Sequence, residues 1–258
     1  LALAMDDPKA FLDILINKYN FKLKGSGEIS FHLGCDFFRD EDGTLCMKPE
    51  KYISKMLQGY EQMFSCSPKR IVYSPLEKGD HPELDSSDLC DRMGAQKYQS
   101  LIGSLQRAVS IGCIDITTAV MTLSSFHAVP RKGHLERAKR IVGYVAKFKE
   151  STIRFHTQEP DYSDIPALAY DWECKYNEAV EDIPTDTPTT PLGKFVVIAT
   201  HVDANLCHDL VTGKSVSGIL HWLNGTQIDW FSKKQGAVET ATYGSEFMAA
   251  RLSVEQIK

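Results

Sequence analysis

The order of apolar and polar residues in the first part of the chain predicts a helix followed by a β-hairpin. Residues 1–5 form an apolar run that predicts a short buried strand. Asp7 and Pro8 then fit the N-cap and the first residue of a helix, which gives the adjacent acids Asp6 and Asp7 a structural role. Further on, I-S-F-H-L-G-C-D-F-F-R-D and L-C-M-K flank a turn with Asp-Gly at 42 and 43, which predicts a hairpin.

The middle of the chain has helical spacing. Pro49 and Glu50 open one predicted helix, and a loop rich in Pro and Asp follows over residues 67–91. The pattern predicts further helices from Tyr98 and over residues 116–126. The last predicted helix of this part begins near H-L-E-R and is expected to bury four apolar residues, namely Leu135, Ala138, Val142 and Val145.

The last part of the chain predicts strands followed by a helix. Residues 159–193 are acidic and rich in Pro and Thr, which predicts a linker that buries little surface. The run K-F-V-V-I-A-T-H-V-D is too apolar for an exposed edge and predicts a central strand. Asn224 and Gly225 predict the turn of a hairpin, and a helix is predicted to follow from V-E-T-A. The expected fold class is therefore α+β.

Composition narrows the possible functions. With 258 residues and 43% hydrophobic content, the chain can bury one large core or two smaller ones. The net charge of −5 means that any contact with nucleic acid must be local. Seven cysteines without a C-x-x-C pair argue against a disulfide framework or a zinc cluster. The apolar run at the start of the sequence is too short to span a membrane.

One predicted helix is strongly basic outside its apolar face. Glu136 is the single acid among these cations. Such a face is most often simply solvated, but a phosphate backbone would be its natural partner. The candidate nucleic-acid-binding residues are Arg131, Lys132, Arg137, Lys139, Arg140 and Lys147.

Two acids near the end of the chain are candidate metal ligands. Asp203 closes an apolar run, and Glu246 opens a helical pattern, so the pair could be half of a magnesium site or two surface acids. The sequence context of Asp209 favours a solvated acid in a turn. The alternative is that Asp209 shapes the loop that follows Asp203. The group His201, His208 and Cys207 fits no zinc spacing.

Several motifs together resemble a known family. The segments H-V-D-A-N-L-C-H-D-L-V-T-G-K-S-V-S-G, I-D-W-F-S-K-K-Q and S-E-F-M-A-A are similar to the start of the ribonuclease H domain of copia-type LTR retrotransposon polyproteins. Upstream, Y-Q-S-L-I-G-S-L and H-L-E-R-A-K-R-I-V-G-Y-V resemble the region that joins reverse transcriptase to ribonuclease H in that family. The segments G-E-I-S-F-H-L-G-C-D-F-F-R-D-E-D-G and P-E-K-Y-I-S-K-M-L resemble the end of its palm and the first helix of its thumb.

The resemblance implies a division of the chain into four parts. Residues 1–49 would be the C-terminal end of the reverse transcriptase palm, and residues 50–158 the helical thumb and connection. Residues 159–193 would be the linker. Residues 194–258 would be the N-terminal part of a truncated ribonuclease H-like fold, with a three-stranded antiparallel sheet and the first helix.

The resemblance also implies an activity for the parent protein. That protein would be an RNA-directed DNA polymerase that also cleaves the RNA of RNA/DNA hybrids by two-metal hydrolysis with Mg²⁺. Asp203 would bridge both ions and Glu246 would bind one of them. The polymerase carboxylates would precede residue 1 and two further aspartates would follow Lys258, so we expect an inactive fragment. Asn205 and Gly244 stand where the family commonly has acids.

Two other classes of function stay open. The chain could be a binding module that holds a template-primer or an RNA/DNA hybrid without chemistry, or a non-functional retroelement remnant. The expected partners are the nucleic acid and the rest of the Pol polyprotein, with no membrane and no small-molecule cofactor. The expected location is the cytoplasm, in a virus-like particle, with the nucleus as the alternative.

Overall fold

The computed structural model describes residues 7–23, 27–69, 71–159, 161, 163 and 196–257. Within these ranges the protein is α+β, with two antiparallel sheets and a helical core, which confirms the predicted class. The strand predicted over residues 1–5 and nearly all of the predicted linker lie outside the described residues. None of the described helices has the length and apolar content that a membrane crossing requires.

The first sheet is built on the predicted hairpin. Its strands are β1 (Phe31–His32), β2 (Cys35–Arg39), β3 (Leu45–Lys48) and β4 (Ile153–Arg154), in that spatial order. Gly43 has a φ of +77° in the turn between β2 and β3, a conformation that glycine adopts without strain. The pairing of β4 with β3 was not predicted, and it brings the end of the helical region back to the hairpin.

Helix α1 precedes this sheet and has the expected cap. It spans Pro8–Asn17, and Asp7 Oδ1 accepts a hydrogen bond from the backbone N–H of Ala10 at 2.9 Å. This bond satisfies one of the amide groups that have no partner in the first helical turn. The structural role predicted for Asp7 is confirmed.

Four helices form the main core. They are α2 (Glu50–Phe64), α3 (Arg92–Ser110), α4 (Thr117–Ser124) and α5 (Lys132–Lys147), with short 3₁₀ turns at Pro82–Leu84 and Ile114–Ile116. Helix α3 begins at Arg92 rather than at Tyr98, because the Asp91 carboxylate caps it by accepting from Gly94 N at 2.7 Å. The predicted start of α3 was therefore too late.

The core of these helices differs from the prediction at one position of α5. Ala138, Val142 and Val145 are buried as predicted, but Leu135 is only partly buried. The adjacent His134 is buried instead, with 3% of its surface exposed. Its ring nitrogens lie 2.9 Å from the Pro82 carbonyl oxygen and 3.1 Å from the backbone nitrogen of Arg131, so both are satisfied away from water.

The second sheet contains the predicted Asn-Gly hairpin. Its strands are β5 (Ile198–Asn205), β6 (Val216–Leu223) and β7 (Thr226–Lys234), in sequential order. Asn224 and Gly225 both have positive φ angles, as a two-residue type I′ turn requires. The chain continues into α6 (Thr242–Ile257).

The predicted central position of β5 is wrong for the described residues. Strand β6 is central, and β5 lies at an edge of the three-stranded sheet. Helix α6 packs on β5 and β6 and covers one face of β5. The cover is partial, because Ala204 is buried while Ile198 at the start of the strand is 51% exposed.

Hydrogen bonds at both ends of the second sheet attach it to the rest of the molecule. The indole N–H of Trp230 on β7 donates to the Val109 carbonyl of α3 at 2.9 Å. At the other end of the sheet, the backbone N–H of His156 donates to Thr226 Oγ1 at 2.6 Å. The face of the sheet opposite α6 consequently lies against α4.

Two helical glycines offer a matched test of this packing. A Cβ on Gly143 of α5 would lie 2.1 Å from the Lys69 carbonyl oxygen, whereas a Cβ on Gly103 of α3 would meet nothing within 4 Å. We expect Gly143→Ala to lower the free energy of unfolding by about 1–3 kcal/mol, because a backbone atom must move. We expect Gly103→Ala to raise it by up to about 1 kcal/mol, because alanine favours the helix.

Urea denaturation of both variants measures this difference. Equal shifts of the unfolding midpoint in the same direction would contradict the close approach of α5 to Lys69.

Candidate functional site

Asp203 lies on the face of the second sheet that is turned towards α4. It stands opposite Gly218 on β6, which in turn stands opposite Ser232 on β7. Residues that pair directly across antiparallel strands share one face of the sheet. The Asp203 carboxylate is exposed on this face, beside His201 of the same strand.

Glu246 lies on the helix that covers the other face. The side chain of Gln235 donates to Ser217 Oγ at 3.0 Å and to the Ser245 carbonyl of α6 at 2.8 Å. Farther along α6, Gln256 Oε1 lies 3.1 Å from His221 Nε2. Ser217 and His221 alternate with the residues of the Asp203 face, so α6 packs on the opposite side of the sheet.

The structure therefore does not bring Asp203 and Glu246 into one pocket. The cleft next to Asp203 is lined by residues of α4 and the sheet, and Glu246 is not among them. No group of three or more His, Cys, Asp or Glu side chains suited to a metal ion occurs in the described part of the chain. The shared magnesium site stays a prediction.

Asp209 is not the solvated turn acid that its sequence context favoured. Only 4% of its surface is exposed, and it accepts hydrogen bonds from the backbone N–H groups of Val211 and Thr212 at 3.1 and 2.8 Å. Its other oxygen is paired with the ammonium group of Lys234 on β7. Asp209 fixes the loop between β5 and β6, as the alternative interpretation proposed.

The environment of Asp209 favours its charged form. Burial by itself would raise the pKa of this carboxyl, but hydrogen bonds from Lys234 and Thr212, together with the charge of Lys234, outweigh it and lower the pKa to about 2. A carboxyl whose pKa is lowered on folding stabilises the folded state above its unfolded pKa of about 3.9. This contribution is lost as the pH falls towards 2.

The two histidines that flank Asp203 have other contacts. The His201 ring lies 5.9 Å from the Trp222 ring, and His208 Nδ1 lies 2.9 Å from Asn205 Nδ2. Cys207 is exposed with a positive φ angle. These contacts give each residue a local role in the β5–β6 loop or on the sheet face.

Two arginines of α5 form ion pairs with acids in the segment that precedes α3. Arg137 forms ion pairs with Asp80 at 2.7 Å and Asp85 at 2.5 Å, and these three side chains are largely buried. Arg140 is paired with Glu77 at 2.9 Å. These acids of the loop neutralise the guanidinium groups that phosphates would otherwise contact.

The other four residues predicted to bind nucleic acid also have partners within the chain. Lys132 is paired with Asp88 at 2.9 Å and Lys139 with Glu136 at 2.6 Å. Arg131 Nη1 donates to the Ser87 carbonyl oxygen. The Lys147 ammonium lies 3.0 Å from the centre of the Tyr73 ring. Contact of these six side chains with nucleic acid stays a prediction, and their observed partners are within the chain.

A second basic surface lies between the hairpin and α2, and we call it the lysine–phenylalanine cleft. It has a volume of about 800 Å³. The ammonium group of Lys48 lies 5.4 Å from the Phe38 ring centre, and that of Lys51 lies 5.0 Å from the Phe31 ring centre. Asp36 and Glu50 also line this cleft, and they form ion pairs at 2.5 Å with Lys51 and Lys48 respectively. Lys55 is exposed and has no ion pair within the described residues.

This surface was not predicted, although the sequence contains a partial signal. Lys51 and Lys55 are four residues apart on α2, which places them next to each other on one face of the helix, and Lys48 lies at the end of β3 just before it. The exposed aromatic rings come from strands that are distant in sequence from the lysine at position 55. Only the packing of the hairpin on α2 brings the two groups together.

Comparison with known proteins gives three relatives, all at low identity. The chain is 25% identical over 239 residues to the Retrovirus-related Pol polyprotein from transposon TNT 1-94 of Nicotiana tabacum, covering 90% of this chain and 15% of that protein. It is 22% identical over 242 residues to the transposon Ty5-1 protein of Saccharomyces cerevisiae, covering 92% of this chain and 64% of that protein. It is 24% identical over 152 residues to Secreted RxLR effector protein 161 of Plasmopara viticola, covering 59% of this chain and 82% of that protein.

Two of these relatives are transposon proteins, and each is similar to at least 90% of this chain. The chain is a homologue of retrotransposon Pol polyproteins, and it spans less than two thirds of the length of the tobacco and yeast proteins. No protein-family model and no solved structure matches the chain. The general retrotransposon origin expected from the motifs is thus confirmed.

The Asp209 contacts predict a stability change that depends on pH. We expect Asp209→Asn to lower the free energy of unfolding by about 1–2 kcal/mol at pH 7, with allowance for the partly exposed Lys234. The difference from the unmodified protein should shrink below about pH 4, as the carboxyl becomes protonated in the unfolded state.

Urea denaturation at pH 7 and near pH 3 measures this change, and Glu41→Gln, at an exposed turn position, is the control. A loss of stability that is equal at both pH values would show that the charge of Asp209 is not responsible.

Proposed function

We propose that the chain is part of a copia-type retrotransposon Pol polyprotein whose parent is a reverse transcriptase with ribonuclease H activity. The similarity to the tobacco polyprotein over 90% of the chain supports this proposal. The order of elements supports it further, because a three-stranded antiparallel sheet is followed by a helix that carries Glu246. Asp203 lies on the first strand of that sheet, as the copia-type motif implies.

Within that protein, we propose that these residues hold a template-primer or an RNA/DNA hybrid. Lys55 of the lysine–phenylalanine cleft carries this proposal, since an unpaired lysine can neutralise a phosphate while the exposed aromatic rings nearby can stack with bases. Lys48 and Lys51 of the cleft are paired with Glu50 and Asp36, and most cations of α5 are likewise paired with acids of the same chain. The other partner would be the rest of the Pol polyprotein, in a cytoplasmic virus-like particle or in the nucleus.

Magnesium would enter this function only through Asp203 and Glu246. When bound, the ions would activate water and stabilise the departing oxygen. Oxygen ligands of this kind are suitable in type, but the two carboxylates lie on different sides of the sheet. We therefore derive no hydrolytic step from the present geometry.

The two basic surfaces can be separated by charge reversal. We expect Lys55→Glu to weaken binding of a labelled RNA/DNA hybrid and to reduce the slope of log affinity against log salt by about 1, because one phosphate contact is lost. We expect Lys139→Glu to change the slope little, because Lys139 is already paired with Glu136. Filter binding between 50 and 200 mM salt measures both effects.

Lys22→Glu is the control for the change in net charge, because Lys22 is exposed and lies outside both surfaces. Equal weakening by Lys55→Glu and Lys22→Glu would argue against the lysine–phenylalanine cleft. A larger loss of affinity in Lys139→Glu than in Lys55→Glu would indicate that the nucleic acid binds at α5.

A second assay tests whether the chain cleaves the RNA strand of the hybrid. We expect the 258-residue chain to bind the hybrid without magnesium-dependent cleavage of its RNA strand, because two carboxylates on different sides of a sheet do not form a two-metal site. Gel electrophoresis of a labelled hybrid with and without Mg²⁺ measures cleavage. Cleavage that needs Mg²⁺ and disappears in Asp203→Asn would contradict this expectation.

A further inference from the structure

His81 and His208 lie next to each other where the helical region meets the second sheet. Their ring centres are 6.3 Å apart, with an angle of 45° between the ring planes. His81 comes directly before the 3₁₀ turn at Pro82–Leu84, and His208 lies in the loop between β5 and β6. Two segments that are distant in sequence thus bring together two imidazole groups, and imidazole is the commonest metal ligand among side chains.

Glu83 fixes the contact between these two segments. One of its carboxylate oxygens accepts a hydrogen bond from the backbone N–H of Leu210 at 3.1 Å and lies 2.9 Å from His81 Nδ1. The side chain of Glu83 is only 8% exposed, whereas that of His81 is 31% exposed. A buried carboxylate therefore holds the loop that carries His208 against the turn that carries His81.

Both histidine rings are oriented through their Nδ1 atoms. A carboxylate only accepts hydrogen bonds, so His81 Nδ1 donates to Glu83, and Nε2 of the neutral ring carries the free lone pair. His208 Nδ1 lies 2.9 Å from the side-chain amide of Asn205, and a half-turn of that amide presents its oxygen to the ring and leaves the lone pair on Nε2. Metal-binding histidines almost always have their second nitrogen bonded to such an oxygen.

The separation of the two rings is compatible with one shared ion. A metal–imidazole bond of about 2.0–2.1 Å places the ion about 3.2 Å from the ring centre. Two rings on the same ion therefore have centres at most about 6.4 Å apart, and about 5.2 Å apart at a tetrahedral angle. The observed 6.3 Å lies inside this limit, and rotation of the partly exposed His81 side chain can bring the rings closer.

The type of ligand selects the metal. Imidazole suits Zn²⁺, Ni²⁺ and Cu²⁺, whereas Mg²⁺ requires oxygen ligands. Asp209 follows His208 in the sequence, but its ion pair with Lys234 occupies it. Within the described residues the pair has no third metal-binding side chain, so water would complete the coordination of the ion.

We propose that His81 and His208 together bind one divalent transition-metal ion, such as Zn²⁺ or Ni²⁺, through their Nε2 atoms. The ion joins the segment before α3 to the β5–β6 loop, and it therefore fastens the second sheet to the helical region. This site uses neither the lysine–phenylalanine cleft nor Asp203, and it is independent of the proposed nucleic-acid function.

Ni²⁺ is a suitable probe because it favours imidazole, whereas the exposed thiols of Cys66 and Cys207 would attract Zn²⁺. Isothermal titration calorimetry at pH 7.5, with excess Mg²⁺ and without nucleic acid, measures the binding. We expect one Ni²⁺ per chain, and we expect both His81→Ala and His208→Ala to weaken binding at least tenfold, because each removes one of two protein ligands. His127→Ala, at an exposed histidine elsewhere, is the control and should leave the affinity unchanged.

Thermal unfolding provides a second measurement. Ni²⁺ should raise the unfolding midpoint of the unmodified protein and of His127→Ala, because an ion that binds only the folded state stabilises it. The midpoints of His81→Ala and His208→Ala should not change with Ni²⁺, and their values without the ion establish that both variants are folded.

Three results would overturn the proposal. They are no Ni²⁺ binding by the unmodified protein, unchanged affinity in either folded variant, and a halved stoichiometry at unchanged affinity, which would mean that each histidine binds its own ion. None of these results affects the binding of an RNA/DNA hybrid, so the two proposals fail separately.

Discussion

A β-strand presents its side chains alternately to two faces, and in the second sheet α6 packs on one face at β5 and β6 while α4 packs on the other at β7. One residue of register decides whether a side chain meets α4 or α6. Ser217 and His221 on β6 face α6, so Gly218 and its neighbour Asp203 face α4. The register of the hydrogen bonds between the strands thus determines on which face of the sheet an acid lies, and therefore which groups it can contact.

Charge neutralisation within the chain has a comparable influence on the helical region. In residues 71–91, Leu76 packs against the helical core and Pro82 is fully buried, and ion pairs from Asp80 and Asp85 to Arg137 also hold this segment on α5. Removing one partner of such a largely buried pair would leave a charge without compensation. The basic composition of α5 is therefore explained by the architecture of the chain itself, and among the lysines near the hairpin it is the exposed Lys55, which has no ion pair within the described residues, that is accessible to an external anion.

Local patterns in the sequence predicted much of this fold. Asp7 as a cap, the Asp-Gly hairpin and the Asn-Gly hairpin depend on neighbouring residues, and all three occur in the structure. The predictions failed where distant residues decide. The edge position of β5 depends on which strands pair across the sheet, and the environment of Asp209 depends on Lys234, which comes from another strand. The same limit applied to the candidate sites, because sequence spacing identified Asp203 and Glu246 as acids of interest but could not assign them to faces of the sheet.

The pairing of β4 with β3 has a consequence for the order in which the chain folds. Arg154 bonds to Asp42 across 112 positions of sequence, so the first sheet is completed only after the whole helical region has been made. Closing so long a loop is entropically costly unless the intervening helices have already become compact. Until then β3 is an open edge, with backbone groups free to pair with another chain. A growing polypeptide would pass through this stage during every round of synthesis, and rapid collapse of the four-helix core would shorten the time spent in it.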